Sequence, residues 1–552
     1  MKKIQVILFW VATFFLFFFQ LRNIPLWSSD EGRYGEVARE MWESRNFIVP
    51  HFNYLPFLDK PILAPALTAV SYTFLGINAF ATRLPIALSA IFGIAFFYCF
   101  SKKLFDKETA FFSSILLLTT TGYFLVGRFA VIDMLMTCFL SLALFCLMTA
   151  CLAQKPRYYL AAYTFMGLAF LTKGLIGIVL PSLIFFSFLV WTKNLRELGK
   201  TKIWLGAIII AAITLPWIVI ISKKEPEFFN TFIVKQHFSR FATGTFGRKR
   251  PIWFFLPILI GTAFPWTLFA PAAVLQGMKQ SLSKQKIQFL LCWIAVIFVF
   301  FSIPKSKLPY YLLPLSMPMA LLIGNFFVHG LFKKELVSKI SPLVEWPWKI
   351  IAGISLLAAM GLNIALFWIH MPEVELFKPI LHISSAVLLA GGLGSYIFYK
   401  KNQTQSAAFS LAGMVYASLI LVILAMKTLS PFQSSAGEAA ILKPLLKENT
   451  LVAIFSSPDH FSDLPFHLQK RVVVVGTDRG TLDEQSNEPR YAQDTKEYFL
   501  ATEQFVGLFN LRNRPVVCLM EEEEKFDEII KQGLKNYRIL QRAYGKILLA
   551  NF

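Results

Sequence analysis

The residues best suited to chemistry form a short polar segment, Trp27-Ser28-Ser29-Asp30-Glu31-Gly32-Arg33-Tyr34, with Asp59-Lys60-Pro61 one loop later. Two adjacent carboxylates, an arginine and a lysine, placed where an apolar stretch ends, are what a water-exposed reaction site at a membrane surface needs. An acid there can orient or deprotonate an incoming group, and cations can hold an anion. Glu31 has a structural alternative, because Ser28-x-x-Glu31 has the form of a capping box. Asp30 does not occupy the reciprocal box position and is the better catalytic candidate. A second acid, Asp133, opens an apolar run in Arg128-Phe-Ala-Val-Ile-Asp133. An Asp at a bilayer centre costs about 2.5 to 3.5 kcal/mol on insertion scales, so Asp133 belongs at a membrane edge or in a wet cavity. There it would cap its helix, pair with Arg128, or meet a shared ligand with it.

The elements that must position these groups are membrane helices. The 552 residues are 56% hydrophobic and only 16% charged, with mean hydropathy +0.57, which excludes a soluble globular protein. Apolar stretches of membrane length fall near 4–21, 84–101, 109–126, 131–152, 158–172, 176–191, 204–221, 251–273, 287–303, 309–328, 350–370, 379–399 and 406–427, about thirteen spans. The net charge of +21 would point to nucleic acid in a soluble protein, but here the basic residues gather in alternate loops. Lys2, Lys3, Lys102, Lys103, Lys193, Lys200, Lys333, Lys400 and their neighbours share one face, which the positive-inside rule makes cytoplasmic. No cleavage site follows the first apolar stretch, which reads as a retained signal anchor. Five of the six cysteines lie in apolar spans, and nothing forms a disulfide framework or a CxxC metal site.

The expected organisation is a transmembrane domain over 1–428 and an external α/β domain over 429–552, in which β-like runs at Leu451–Phe455, Val472–Val475, Val516–Met520 and Ile547–Ala550 alternate with polar helical stretches. Residues 22–82 form an external loop with its own juxtamembrane helices. In the first of these, Tyr34, Val37, Ala38, Met41 and Trp42 share a face, and Arg33, Glu36, Arg39 and Glu40 fall largely on the other. A second is expected to begin at Pro61. The same outer face collects Arg33, Lys60, Arg128, Lys173, Lys235, Arg240, Arg250, Lys305 and Lys307, an excess that topology disfavours and that anionic ligands would explain. Phosphate on a lipid is the simplest. Arg240 is a candidate phosphate ligand. His237 with Asp59 is a weak pair for a divalent metal, and Tyr310, beside Tyr311, fits either a substrate contact or an interfacial aromatic belt.

Trp27-x-x-Asp30-Glu31-x-Arg33-Tyr34, Asp59-Lys60-Pro61, Arg83-Leu-Pro85, Arg128-x4-Asp133, Gly167-Leu-Ala-Phe-Leu-Thr-Lys173-Gly174 and Lys307-Leu-Pro-Tyr310 occur in this order. Together they resemble bacterial polyprenyl-phosphate-sugar glycosyltransferases of the C superfamily, in the protein O-mannosyltransferase-related branch that includes the lipid A aminoarabinose transferase. The resemblance implies a multi-pass inner-membrane enzyme with a cytoplasmic N-terminus and a periplasmic active site. It would move a sugar with inversion from undecaprenyl phosphate to lipid A phosphate or another envelope acceptor, with no nucleic-acid partner and no required cofactor. By the same resemblance Asp30 is the catalytic-loop acid, Asp133 a second site acid, and Lys60 the lysine that engages the carrier phosphate. Glu31, Arg33, Arg128, Arg240, Lys307 and Tyr310 are then substrate-binding. Asp59 stands where related sequences often carry Glu. Competing readings are transfer of another sugar onto core oligosaccharide or protein hydroxyls, a lipid or sugar transporter, and a non-catalytic scaffold. A transporter would place its charges near the midplane of two repeat-like halves; this sequence concentrates them on one face and shows no repeat.

Overall fold

A computed structural model of the chain describes residues 3–239, 250–279, 284–333, 341–368, 372–521 and 523–552. In chain order it begins with helices α1 (Lys3–Phe18), α2 (Asp30–Ser44), α3 (Leu63–Leu75), α4 (Ala79–Leu104), α5 (Lys107–Leu118), α6 (Thr121–Val126), α7 (Ile132–Leu152), α8 (Arg157–Lys173), α9 (Ile176–Trp191) and α10 (Ile203–Lys224). The chain divides into two compact units. Met1–Gln20 with Ile86–Ala425 make the helical unit, and Leu21–Pro85 with Met426–Phe552 make an α/β unit.

Among the described residues, eight helices are long and apolar enough to cross a membrane: α4, α7, α10, Lys284–Ser302, Pro309–Phe332, Leu343–Trp368, Lys378–Lys400 and Thr404–Gln433. Ile252–Thr262 and Trp266–Lys279, bent by 103° at their junction, would make a ninth. This is a multi-pass membrane protein, with fewer full-length helices than the thirteen apolar stretches. The difference has local causes. The stretch near 109–126 breaks at Thr119 and Thr120: the Thr120 N–H turns to the Leu117 carbonyl, and the Thr120 hydroxyl takes the Leu116 carbonyl that the helix ladder would have used. The first stretch keeps only 16 helical residues, as does α9. At the heart of the helical unit lies α7, buried along nearly its whole length. Phe145 on it packs against Phe97, Phe100 and Trp293 at ring separations of 5.9, 5.6 and 5.4 Å. A helix apolar on every side must be enclosed by others, and this enclosure fixes Asp133 at its N-terminal turn.

In the α/β unit, β1 (His51–Phe52) and β2 (Leu55–Pro56) form a small hairpin. β3 (Leu451–Phe455), β4 (Val473–Val475), β5 (Phe499–Leu500), β6 (Val516–Glu521), β7 (Arg538–Ala543) and β8 (Lys546–Ala550) form one sheet in the order β5-β4-β3-β6-β8-β7. The first four strands in that order are parallel, and β8 and β7 are antiparallel additions. Parallel strands are covered on both faces and read as continuous apolar runs, as Leu-Val-Ala-Ile-Phe in β3 does. Val452, Ile454, Val474, Val517 and Leu519 pack on one side with Val37 of α2, Phe52, Leu55 and Phe57. Leu451, Ala453 and Phe455 pack on the other with Phe505, Phe509 and Ile529. The loop that carries Asp30 therefore shares a core with the C-terminal sheet.

A buried carboxylate completes that junction. Asp463 accepts from the Ser28 hydroxyl at 2.6 Å, the Ser434 hydroxyl at 2.8 Å and the Ser435 N–H at 2.6 Å, and Ser462 donates to the Ser29 carbonyl at 2.7 Å. Gly32 is required here by close approach, since a Cβ would stand 2.5 Å from the Asp463 nitrogen. Burial alone would raise the Asp463 pKa, but His467, the Ser28 hydroxyl and the Ser435 N–H outweigh it and hold it below the usual value. A folded-state pKa below the unfolded one contributes stability that is present above the unfolded pKa and lost as pH falls through the folded one. Asp463→Asn is expected to lower the melting temperature of detergent-solubilised protein near neutrality and to flatten its decline below the ordinary carboxylate range, measured as melting temperature against pH.

Candidate functional site

The sequence places Asp30 and Glu31 side by side, and the fold gives them opposite surroundings. Helix α2 starts at Asp30 after Ser29, with no side-chain cap from Ser29. The expected capping box does not form. Instead Glu31 accepts from the Trp27 N–H at 3.0 Å and takes both oxygens to Arg83, from Nε and Nη2, each at 2.6 Å. Both side chains are only 2% exposed. Arg83 also donates to the carbonyls of Leu21, Ile24 and Pro25, so the pair ties the turn before α2 to the start of α4. A planar fork matched to a carboxylate and three carbonyls is a role that only arginine fills.

Asp30 points elsewhere and keeps 29% of its side chain exposed. It pairs with Arg33 one turn on, and Arg33 reaches from its other Nη to Asp459 Oδ1 at 2.9 Å. Burial works against the Arg33 charge, yet Asp30 and then Asp459 raise its pKa, so the guanidinium is a fixed cation. Asp30 also sits in the first turn of α2, where the helix dipole favours an anion. Arg33, Glu36, Arg39 and Glu40, on the face opposite the apolar one, are all buried. Arg39 grips Glu36 through Nε and Nη2, each at 2.7 Å, and meets Glu43 at 2.6 Å. Burial, then neighbouring Glu36, pushes the Glu40 pKa up. Helix α3 begins at Leu63, two residues beyond the expected start at Pro61. Lys60, half-buried ahead of it, donates to the Asp59 carbonyl at 3.0 Å.

In the helical unit, Asp133 is ion-paired with Lys173 at the end of α8. The Lys173 ammonium also lies 4.8 Å from the Tyr311 ring centre and 5.8 Å from that of Tyr310, within cation–π range. In the sequence Lys173 stood among the outer cations and in one of the motifs, and pairing with Arg128 was one of three readings of Asp133. Arg128 instead donates to the Leu16 and Phe19 carbonyls at 2.6 and 2.7 Å, satisfying acceptors that the end of α1 leaves open. Lys307 is buried and donates to the carbonyls of Arg250, at 3.2 Å, and Pro304. Arg240 lies outside the described residues, as does the side chain of His237. Among the described residues, no three His, Cys, Asp or Glu side chains group as metal ligands.

Comparison with known proteins gives this geometry a context. Residues 59–220 match the family model described as dolichyl-phosphate-mannose-protein mannosyltransferase. The chain is 31% identical over 326 residues to the undecaprenyl phosphate-alpha-4-amino-4-deoxy-L-arabinose arabinosyl transferase of Yersinia enterocolitica, covering 57% of this chain and 58% of that protein. It is 26% identical over 524 residues to the protein of the same name from Shewanella sediminis, covering 92% of each. The chain spans about three fifths of the length of the curated relatives that it matches at 30 to 31% identity. Its fold is that of the crystal structure of ArnT from Cupriavidus metallidurans bound to undecaprenyl phosphate, with TM-score 0.84 and 24% identity, covering 100% of this chain and 99% of that one. The chain is thus a polytopic helical membrane protein of the ArnT fold, similar in sequence to lipid-phosphate-sugar transferases.

Removing one partner of a buried ion pair typically costs about 3 to 5 kcal/mol, because the other charge is left unpaired. Arg83→Met is expected to lose stability of that order in denaturant titrations of solubilised protein, and Glu31→Gln in the same chain to recover part of it. Equal stabilities of wild type and Arg83→Met would show that the pair does not fix the turn.

Proposed function

We propose that this chain is an inverting glycosyltransferase of the bacterial inner membrane that moves 4-amino-4-deoxy-L-arabinose from undecaprenyl phosphate to a lipid A phosphate on the periplasmic side. The observation that carries the reading is the sequence similarity to proteins named for transfer of this sugar from this carrier. In the proposed reaction, an acceptor phosphate oxygen attacks the anomeric carbon from the face opposite the carrier. The bond from that carbon to the carrier phosphate oxygen breaks with its electron pair, and undecaprenyl phosphate leaves as an anion.

The residue inventory suits this chemistry. A leaving phosphate needs no general acid where cations hold its growing charge, and Lys60 is the proposed holder. The acceptor phosphate is already an anion and needs little base. Asp30, kept beside a permanent cation and partly exposed, is proposed to orient the acceptor or bind the sugar's amino group. Asp133, held by Lys173 under two tyrosines, is proposed as the second site acid. The N-terminus is proposed to be cytoplasmic and residues after about 428 periplasmic, a reading that the gathering of basic residues in alternate loops supports.

The test is transfer in vitro by the full chain in nanodiscs, with undecaprenyl-phosphate aminoarabinose as donor and lipid A as acceptor, followed by mass spectrometry. Asp30→Asn is expected to lower kcat about a hundredfold, as misplacement of a reacting group does. Lys60→Ala is expected to raise the donor KM about tenfold or more through loss of a charge-assisted phosphate contact. A wild-type protein that moves no sugar from any polyprenyl-phosphate donor overturns the proposal.

A further inference from the structure

We infer that Asp459, from the C-terminal half of the chain, is a positioning residue for Asp30: it fixes the Arg33 guanidinium, and Arg33 in turn sets the direction and charge of the Asp30 carboxylate. The inference rests on the role of Asp30 proposed above and deepens it, by giving the C-terminal sheet a part in the reaction.

The topology puts Asp459 at a privileged place. From β3 the chain proceeds to β4 and β5 on one side and returns to β6 on the other, so the chain order reverses between β3 and β6. In open α/β sheets, ligands settle in the crevice outside the carboxyl ends of the strands at such a switch point. The loops leaving β3 and β4 and the end of β6 converge there. His460 meets Glu521 at 2.6 Å, and the Thr481 hydroxyl and N–H, the latter at 3.2 Å, donate to the two oxygens of Asp459. Gly480, at φ +51°, permits that approach: a Cβ there would stand 2.9 Å from Asp459 Oδ2 and 2.8 Å from Ser457 Oγ. Held in this way, Asp459 Oδ1 receives the Arg33 guanidinium at 2.9 Å. The place where related topologies bind a ligand here binds a side chain of α2.

Beyond Asp30 and Asp459, the support of Arg33 among the described residues is weaker: its Nη1 lies 3.4 Å from the Thr481 hydroxyl. Its guanidinium lies near the Tyr34 and Phe57 rings, at 5.7 and 6.0 Å, and these steer a cation weakly. The charged and titratable groups acting on it are Asp30 and Tyr34 from its own helix, Asp459 from the loop after β3, and Asp59 from the segment before α3. Asp463, with His467, packs against the same first turn of α2. A guanidinium released from Asp459 would swing on a flexible stem, and Asp30 would lose its fixed partner.

Three variants of the full chain in nanodiscs separate charge from geometry. Asp459→Ala removes both the charge and the anchor. Gly480→Ala displaces the carboxylate without altering any charge. Asp459→Asn keeps an acceptor for Arg33 and Thr481 but removes a negative charge near Asp30. The first two are expected to lower kcat about ten- to a hundredfold, as small misplacements of a reacting group do, with the donor KM within about twofold of wild type. Asp459→Asn is expected to move the acid limb of the kcat profile to lower pH, a shift that a merely structural role would not produce. Folded variants with wild-type kcat and pH profile, alongside an inactive Asp30→Asn, overturn the inference and leave the proposed function standing. If wild type moves no sugar, the proposed function fails. The inference is then decided by the ¹³C titration of the Asp30 carboxyl, assigned by its loss in Asp30→Asn. A lower midpoint in Asp459→Asn supports it, and an unchanged midpoint overturns it.

Discussion

One buried guanidinium holds together the part of this protein where chemistry is expected. Arg33 is shared between Asp30, on its own helix, and Asp459, 426 residues further along the chain. Charge-assisted hydrogen bonds from a planar fork are strong and directional, and one that closes so long a separation makes the reactive loop and the C-terminal sheet a single folding problem. The common core of Val37, Phe57, Val452 and Val474 supplies the apolar burial, and Asp463 satisfies the polar groups that this burial would otherwise strand. Buried donors and acceptors must be paired or they cost stability, so the serines at 28, 434 and 435 and the carboxylate between them need one another.

The two acids at the head of α2 show how environment divides labour between neighbours. Glu31 is spent inside, on Arg83 and the carbonyls around it; Asp30 stays at the surface with an arginine partner. In the helical unit the same economy recurs with different parts: Arg128 closes the end of α1, and Lys173 takes the acid at the start of α7. Cations thus separate into those that satisfy backbone carbonyls, namely Arg128 and Lys307, those that meet carboxylates, namely Arg33 and Lys173, and Arg83, which does both.

Much of the fold was legible. Leu451–Phe455, Val516–Met520 and Ile547–Ala550 are strands because unbroken apolar runs bounded by polar turns have few other uses, whereas β5, two residues long, and β7, whose Arg-Ile-Leu-Gln-Arg-Ala is largely exposed, carry no such signal. Apolar length marked the membrane segments, but it does not report where threonines, prolines or a sharp bend interrupt a helix. The site was half legible. Asp30, Asp133 and Lys60 stood out by residue type against an apolar background. Asp459 and Thr481 did not, since a partner hundreds of residues away leaves no local pattern. For the same reason Arg39 and Glu40 read only as the face opposite the apolar one: periodicity shows which residues share a side, and only the fold shows that both sides of α2 are buried.

Whether the sugar leaves its lipid phosphate by direct displacement is read from the configuration of the product. The measurement is the anomeric H1–H2 coupling, by NMR, of sugar newly attached to lipid A after incubation of the full chain with the α-linked donor. Direct displacement gives the opposite anomeric configuration in the product. Retained configuration, or no attached sugar, would contradict it.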